Sequence, residues 1–245
     1  METVCKNCNQ PAAQNFCSNC GQKTSTTRFN HKHLIHDFIH GFFHIDHGIV
    51  YTAWELLRNP GRVLRDYLGG KRIRYFNPFT FLLLVGGFGA FVLPRLHWTS
   101  FFFDVGIIAP KAADQHAWNS SLQHFSLRLL LFIPFYALIS RLFYFNKDYN
   151  YSEHLIAQTY IRTEVSLFMI LFSPIQLLIQ TETWAKPLKL FFVVGYVVYV
   201  AWAFAGLFDG KITFLSMVKG FFVALFSIAI ELIIVNWIII RQLPF

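Results

Sequence analysis

The sequence predicts an all-α polytopic membrane protein with about five transmembrane helices, preceded by a small zinc ribbon and an amphipathic interfacial helix. Three observations lead to this prediction. Apolar residues make up 55% of the 245 positions and charged residues only 14%, whereas about a quarter of a soluble chain is charged. The four cysteines form two Cys-x-x-Cys pairs near the N-terminus. Several nearly uncharged stretches approach the roughly 20 residues that a helix needs to cross a bilayer.

The head, residues 1–24, is predicted to be the zinc ribbon. Its pairs Cys5/Cys8 and Cys17/Cys20 can surround one tetrahedral ion with four thiolates, which leaves no open position for catalysis. So short a segment cannot bury a core, and the metal would therefore supply its folding energy. Two disulfides or a redox dithiol are the alternatives, but we expect a structural Zn ion. Because thiolate ligands have to stay reduced, this interpretation places the head in the cytosol.

Residues 31–74 are predicted to form a cytosolic amphipathic and basic region. A helix over residues 31–58 puts apolar side chains on one face and imidazoles on the other, and Asn59-Pro60-Gly61 ends it. Three interpretations of the imidazole face stay open. The helix lies in the bilayer interface, packs against another part of the protein, or holds a second metal or proton site. The candidate ligands of that site are His36, His40, His44 and His47, with Asp37 as a partner that fixes a tautomer.

A basic collar follows, between this helix and the first span. Its members are Arg62, Arg65, Lys71, Arg72 and Arg74. They either fix the topology by the positive-inside rule or contact anionic lipid headgroups or a phosphorylated substrate. We expect no nucleic acid as a partner, because the basic residues crowd the membrane edge without a nucleic-acid-binding motif.

Several motifs resemble those of a known family. They are TAWELLRNP and PGRVLRDYLGGKRIRYFNPFTFLLL, the paired Cys-x-x-Cys head, and KDYNYSEHLIAQTY at 147–160. Together they resemble an uncharacterised bacterial integral membrane family, a domain of unknown function with an N-terminal zinc ribbon. The resemblance implies the architecture but no mechanism, since that family has no established activity. The helical bundle is also loosely similar to Yip1-like membrane proteins, an analogy of fold alone.

The transmembrane helical domain is predicted to occupy residues 75–245. Its approximate spans are 76–95, 122–145, 164–181, 189–208 and 220–240. Gly86, Gly87 and Gly89 give the first span a face that another helix can approach closely. With the head inside, most of the 21 Lys and Arg residues lie on the cytosolic side, as the positive-inside rule requires. We therefore expect a cytosolic N-terminus and a C-terminus on the opposite side of a bacterial inner membrane.

Several polar residues are predicted to lie within the membrane domain. His154, Gln158 and Arg162 recur every four positions and share one helix face, and Glu231 interrupts the last span. Because a charge at mid-depth is costly, these groups either form a functional cavity or satisfy one another between helices. The chain contains none of the GxSxG, HExxH, Walker or dinucleotide-binding patterns, so no catalytic residue is assigned.

The preferred functional hypothesis is a scaffold or interaction protein whose zinc-bound head docks a protein partner beside anionic lipid headgroups. The alternative is a membrane enzyme or carrier for a lipid-like or amphipathic substrate. Its site would be the His-rich face or the polar residues within the spans. The metal content of the protein partly distinguishes these two hypotheses. The zinc ribbon needs about one ion per chain, and a histidine site would add a second.

Overall fold

In the described part of the structure, a two-stranded sheet lies nearest to the N-terminus and seven α-helices follow it. The structure is a computed structural model that describes residues 3–12, 14–29, 48–96, 123–175 and 182–241. Strands β1 (Thr3–Val4) and β2 (Pro11–Ala12) pair antiparallel within the head. The helices are α1 (Ile49–Arg58), α2 (Pro60–Leu68), α3 (Pro78–Arg95), α4 (Phe125–Phe143), α5 (Tyr151–Phe172), α6 (Glu182–Asp209) and α7 (Phe214–Arg241).

Five of these helices are long and apolar enough to cross a membrane. Their candidate spans are Pro78–Arg95, Phe125–Phe143, Tyr151–Phe172, Pro187–Asp209 and Phe214–Ile234. Each has at least the roughly 17 residues that a bilayer crossing requires. The predicted helical membrane fold with an N-terminal four-cysteine head is confirmed.

The helix that contains the start of the third predicted span, residues 164–181, begins well before that span, at Tyr151. α5 starts at Tyr151 because Asn150 caps it: the Asn150 side chain accepts from the Glu153 N–H, and the Glu153 carboxylate accepts from the Asn150 N–H. The prediction relied on an uncharged stretch, whereas α5 buries Glu153 and Glu164 inside the bundle. Charged residues therefore do not mark the end of this span.

α5 lies at the centre of the bundle and packs against α3, α4 and the short helices α1 and α2. The predicted glycine face of α3 contributes to this packing. A Cβ on Gly86 would lie 2.6 Å from the Ser126 side chain, and one on Gly89 would lie 2.7 Å from Phe125, whereas one on Gly87 would meet nothing within 4 Å. Two of the three glycines therefore allow α3 and α4 to approach closely.

A second close approach joins α2 to α6. A Cβ on Gly61 would lie 2.4 Å from the Gly206 backbone, so neither helix has room for a side chain at this crossing. α6 in turn packs along α7, where Gly220 faces the Ala201 backbone. The short helix α2 is thereby part of the bundle rather than a surface segment.

The head and two interhelical loops lie at the same end of the bundle. Lys147 in the α4–α5 loop donates to Asp209 Oδ1 at 2.6 Å, which joins that loop to the end of α6. Asn150 Nδ2 donates to the Phe29 carbonyl at 2.8 Å, which joins the chain after the head to the start of α5. The structure thus groups three segments that the charge pattern assigns to one side of the membrane.

Candidate metal centre and intramembrane polar cluster

The four cysteines lie on two knuckles with the same backbone turn. The first knuckle is residues 5–10 and the second is residues 17–22, and both follow the pattern Cys-x-Asn-Cys-x-Gln. In each, the N–H of the first cysteine donates to the glutamine carbonyl, and the N–H of the fifth residue donates to the carbonyl of that cysteine. The fifth residue has a positive φ in both, 58° at Asn9 and 73° at Gly21, which Asn and Gly adopt most readily.

The four sulfur atoms converge at one point. Cys5 Sγ lies 3.6 Å from Cys20 Sγ, Cys8 Sγ lies 3.5 Å from Cys17 Sγ, and all four lie within 4.8 Å of one another. A disulfide bond measures about 2.05 Å, so these are free thiols. A tetrahedral ion with Zn–S bonds of about 2.3 Å separates its sulfurs by about 3.8 Å. The predicted cysteines therefore form a site that could hold one metal ion.

Hydrogen bonds within the head favour thiolates at Cys5 and Cys8. The Asn19 side chain and the Gln10 N–H donate to Cys8 and lower the pKa of its thiol to about 6. The Cys8 N–H likewise lowers the pKa of the Cys5 thiol. Because a metal binds thiolates rather than thiols, these donors prepare the two sulfurs for an ion. At Cys17 the N–H groups of Cys20 and Asn19 lower the pKa of the thiol, but burial and the neighbouring Cys8 and Cys20 sulfurs outweigh them and raise it to about 11. Four sulfur ligands close a tetrahedral site, which is typical of a structural ion.

Gln22 fastens the second knuckle to the collar loop, residues 69–77. Its side chain is buried, and Nε2 donates to the Gly70 carbonyl at 2.7 Å. Oε1 accepts from the N–H groups of Arg72 at 3.0 Å and Ile73 at 3.3 Å. One amide thus satisfies three backbone groups of the loop, which joins the head to the segment just before α3.

Gly70 lets the head come this close. Its φ is 111°, a conformation that side-chain-bearing residues rarely adopt. A Cβ there would also lie 2.8 Å from Lys6 Cδ and 3.0 Å from Thr26 Oγ1. Both the backbone conformation and the contact with the head therefore require glycine.

The first knuckle presents its equivalent groups to solvent. Gln10, which corresponds to Gln22, is exposed. The residue before each knuckle is also a large exposed apolar side chain: Val4 is 63% exposed and Phe16 is 60% exposed. The head therefore exposes Val4, Gln10 and Phe16, and we call these three residues the outer face.

Arg28 fastens the linker, residues 23–29, to the start of α5. Its guanidinium donates to both Glu153 carboxylate oxygens, at 2.8 and 2.9 Å. It also donates to Asp148 Oδ1 at 3.2 Å and to the Asp148 carbonyl at 2.5 Å. The Glu153 side chain is only 5% exposed, so Arg28 neutralises a carboxylate that burial would otherwise destabilise. These bonds, with Glu153 first, raise the pKa of Arg28.

Phe29 completes the attachment of the linker. Its ring is buried and stacks on Tyr67 at a centroid distance of 5.7 Å. The Arg72 guanidinium covers the same ring at 3.7 Å. The linker is thus held between the collar, α2 and the start of α5.

The collar side chains have partners inside the protein. Arg62 pairs with Glu55, Lys71 Nζ lies 2.7 Å from Asp66 Oδ1, Arg72 donates to the Thr27 carbonyl at 2.5 Å, and Arg74 Nε donates to Tyr51 Oη at 2.8 Å. Arg65 Nη1 is buried and has no hydrogen-bond partner among the described residues. The collar therefore stabilises the junction between head and bundle, while contact with lipid headgroups stays a prediction.

The predicted second metal or proton site lies outside the described residues. Its candidates are His36, Asp37, His40, His44 and His47. Helix α1 (Ile49–Arg58) is the described part of the segment predicted to be amphipathic, and it ends directly before Asn59-Pro60 as predicted. Leu56 is fully buried against the bundle, whereas Val50 and Trp54 are more than half exposed.

Within the bundle, Arg162 lies in a cluster with two tyrosines and a glutamine. Its guanidinium carbon is 3.8 Å from the Tyr136 ring centroid and 5.0 Å from that of Tyr196. Nε donates to Gln158 Oε1 at 3.3 Å, and Nη1 donates to Tyr196 Oη. Gln158 Nε2 donates to the Tyr136 carbonyl at 3.0 Å. Arg162 Nη2 is buried without a hydrogen-bond partner among the described residues.

Glu231 extends this cluster from α7. The Tyr136 hydroxyl donates to Glu231 Oε2 at 2.8 Å, so Tyr136 contacts both the carboxylate and the guanidinium of Arg162. The structure therefore connects three of the four polar residues that the sequence singles out, Gln158, Arg162 and Glu231.

His154 lies nearer to the head and has different partners. Its Nδ1 is 3.0 Å from Ser140 Oγ, and its ring packs against Phe208 at 5.1 Å. Nε2 has no hydrogen-bond partner within the described part of the chain. His154 is thus a buried contact between helices and stands apart from the Arg162 cluster.

The sequence does not predict four residues of these sites, which are Gln22, Arg28, Tyr136 and Tyr196. Gln22 had a signal in the sequence, because the repeated Cys-x-Asn-Cys-x-Gln pattern marks a glutamine in each knuckle. The tyrosines had none, since a tyrosine in an apolar span is as typical of the core or the interface as of a polar cluster.

Comparison with known proteins gives one partial match. A family model described as a protein of unknown function, DUF3667, matches residues 46–88. This segment contains α1, α2, the collar and the first half of α3. The chain matches no curated protein, and it matches no solved structure. The match and the cysteine cluster fit an uncharacterised family of membrane proteins with a candidate metal site.

Proposed function

We propose that the chain is a membrane scaffold or interaction protein whose zinc-bound head docks a protein partner on the cytosolic side. The contrast between the two knuckles supports this function. Both have the same turn, but Gln22 is bonded to the collar loop and Gln10 is exposed. The exposed Val4 and Phe16 add apolar contact area of the kind that binding surfaces use.

The collar loop indicates what kind of segment the outer face binds. Gln22 satisfies one carbonyl and two N–H groups of a loop that turns at Gly70. Gln10 offers the same donor and acceptor from an equivalent turn. A partner would therefore present a loop with free backbone groups for the amide of Gln10 and apolar side chains for Val4 and Phe16.

The head in this proposal holds zinc and lies in the cytosol of a bacterial cell, under the inner membrane. Support comes from the closed set of four sulfurs, which has to stay reduced, and from the Lys and Arg residues that favour the same side. The C-terminal end of α7 would then lie on the opposite side, because an odd number of spans separates it from the head.

Helix α1 and the collar would rest on the lipid surface. Val50, Trp54 and Leu57 recur at helical spacing on the exposed side of α1, and apolar residues with tryptophan suit the bilayer interface. The Arg62 and Lys71 side chains keep 47% and 38% of their surface exposed. They can therefore attract anionic headgroups while they keep their intramolecular partners.

Photocrosslinking from the first knuckle, with a control position just after the second, tests the docking function. A photoreactive amino acid replaces Gln10 in one version of the full-length protein and the exposed Lys23 in a control. We expect a discrete adduct of higher mass from position 10 in cells, and its loss when Val4→Asp and Phe16→Asp are added. Zinc content has to stay unchanged in those variants, which shows that the head is intact.

Two results of this experiment would contradict docking at the outer face. If position 10 yields no adduct, or one that survives both aspartate substitutions, then the outer face is not a docking surface. The head would in that case only complete the fold of the bundle.

A further inference from the structure

Arg162 is a fixed positive charge in the middle of a membrane span. It is the twelfth residue of α5 (Tyr151–Phe172), about 16 Å along the helix from its first residue at 1.5 Å per residue. The residue is only 5% exposed. An arginine at this depth is costly and is usually found paired or in contact with a ligand or ion pathway.

The surroundings of Arg162 leave one guanidinium nitrogen without an acceptor among the described residues. The Tyr136 ring covers one face of the guanidinium, Gln158 accepts from Nε, and Tyr196 accepts from Nη1. These contacts hold the group in one orientation. Nη2 is fully enclosed and lacks an acceptor among the described residues, and an unsatisfied donor in an apolar medium is strongly disfavoured.

The charge of Arg162 also has no direct counter-ion in the part of the chain that the structure describes. No carboxylate of the described residues lies within 4.0 Å of its nitrogens. Glu231 contacts the Tyr136 hydroxyl instead of the guanidinium. Glu164 follows two positions later on α5 and so lies on the opposite side of that helix. The site therefore has a donor and a positive charge ready for an oxygen anion, which is the ligand that guanidinium groups prefer.

We propose that Arg162 binds the oxyanion, a carboxylate or a phosphate, of an amphipathic ligand that enters from the bilayer. Tyr196 on α6 and Glu231 on α7 are only half-buried, whereas Arg162 behind them is enclosed. At mid-depth the outward side of a helix faces lipid, so the approach runs laterally past these two residues. A ligand arriving by this route carries an apolar tail. This inference is independent of the docking function of the head.

Ligand binding by the full-length protein in phosphatidylcholine nanodiscs tests the proposal. The probes are oleate, phosphatidic acid incorporated in the nanodisc, and inorganic phosphate. We expect saturable binding of oleate or of phosphatidic acid, at least tenfold weaker in Arg162→Gln. Glu231→Gln should bind severalfold more tightly, because it removes the carboxylate nearest to the incoming anion. Arg141→Gln, which changes an exposed arginine at the end of α4, should bind as the wild type does.

Tyr196→Phe keeps the test decisive if Arg162→Gln does not fold. This variant removes only the acceptor of Nη1, so Arg162 loses its fixed orientation and amphipathic probes should bind severalfold more weakly. Equal affinity of the wild type and both variants would overturn the proposal. Binding of inorganic phosphate as tight as that of the two lipids would also overturn it, because the site would then recognise an oxyanion without a tail.

Discussion

The two knuckles of the head have the same sequence pattern and the same turn, yet they face different surroundings. The amide of Gln22 is buried and bonded to three backbone groups of the collar loop, while that of Gln10 is exposed. The metal site needs both knuckles equally, since each supplies two sulfurs. The difference teaches that bringing the four sulfurs together and attaching the head are separate tasks, and that only the second distinguishes the knuckles.

Loss of the metal should have the largest effect on the structure of the head, because both knuckles supply ligands to the same ion. Cys17→Ser with Cys20→Ser leaves two of four ligands, and a ribbon this small depends on its ion for folding. We expect about one zinc per chain in the wild type and none in the variant. Elemental analysis measures the zinc, and circular dichroism should show that the transmembrane helices persist. Retention of one zinc by the variant would contradict the four-sulfur site.

Arg28→Ala should release the linker while the metal site stays intact. The substitution leaves Glu153 buried without its bidentate partner, which costs about 1 to 3 kcal/mol for a half-exposed arginine. Phe29 should then become accessible, so we expect cleavage by chymotrypsin after this residue at least about tenfold faster, since 1.4 kcal/mol corresponds to a factor of ten. Lys23→Ala, at an exposed position of the same linker, is the matched control and should leave the cleavage rate unchanged.

Gly70→Ala should push the second knuckle away from the collar. The new side chain has to adopt a positive φ, which costs about 1 to 2 kcal/mol, and it meets Lys6 of the head and Thr26 of the linker. We expect a lower melting temperature for the full-length protein with unchanged zinc content. The control is Gly87→Ala, because a Cβ at Gly87 meets nothing within 4 Å. A stability equal to that of the control would show that the head does not rest on Gly70.

Arg62→Gln should have the smallest effect on the fold. Its ion pair with Glu55 is 47% exposed on the arginine side, and exposed pairs contribute about 0 to 1 kcal/mol. A larger change is expected in how much anionic lipid the nanodisc-embedded protein retains, if the collar rests on headgroups. Thermal unfolding and native mass spectrometry of the retained lipid measure the two effects. A strong loss of stability with unchanged lipid retention would assign Arg62 a purely structural role.

The sequence predicts the metal site and the spans because both depend on local properties. The spacing of the cysteines and the length of apolar stretches can be read without knowing what packs where. The helical spacing of Gln158 and Arg162 likewise placed them on one face of α5. The start of α5 was missed, since Glu153 and Glu164 are buried by contacts that a hydropathy profile does not register.

The attachment of the head depends on contacts between distant parts of the chain. Arg28 and Glu153 are 125 positions apart, and Gln22 and Gly70 are 48 apart. Spacing rules describe neighbours on one helix or in one turn and carry no information about such pairs. For the same reason nothing in the polar, Ser/Thr-rich linker indicates that it is attached to the bundle, although Phe29 is buried in the structure.

The most direct test of the contrast between the knuckles is hydrogen exchange at the collar amides of Arg72 and Ile73. Both N–H groups donate to Gln22 Oε1, so they should be protected in the wild type. We predict that Gln22→Ala makes them exchange at least about tenfold faster, whereas Gln10→Ala leaves both rates unchanged. Equal rates in the two variants would contradict the account, because the two glutamines would then be equivalent in the protein as they are in the sequence.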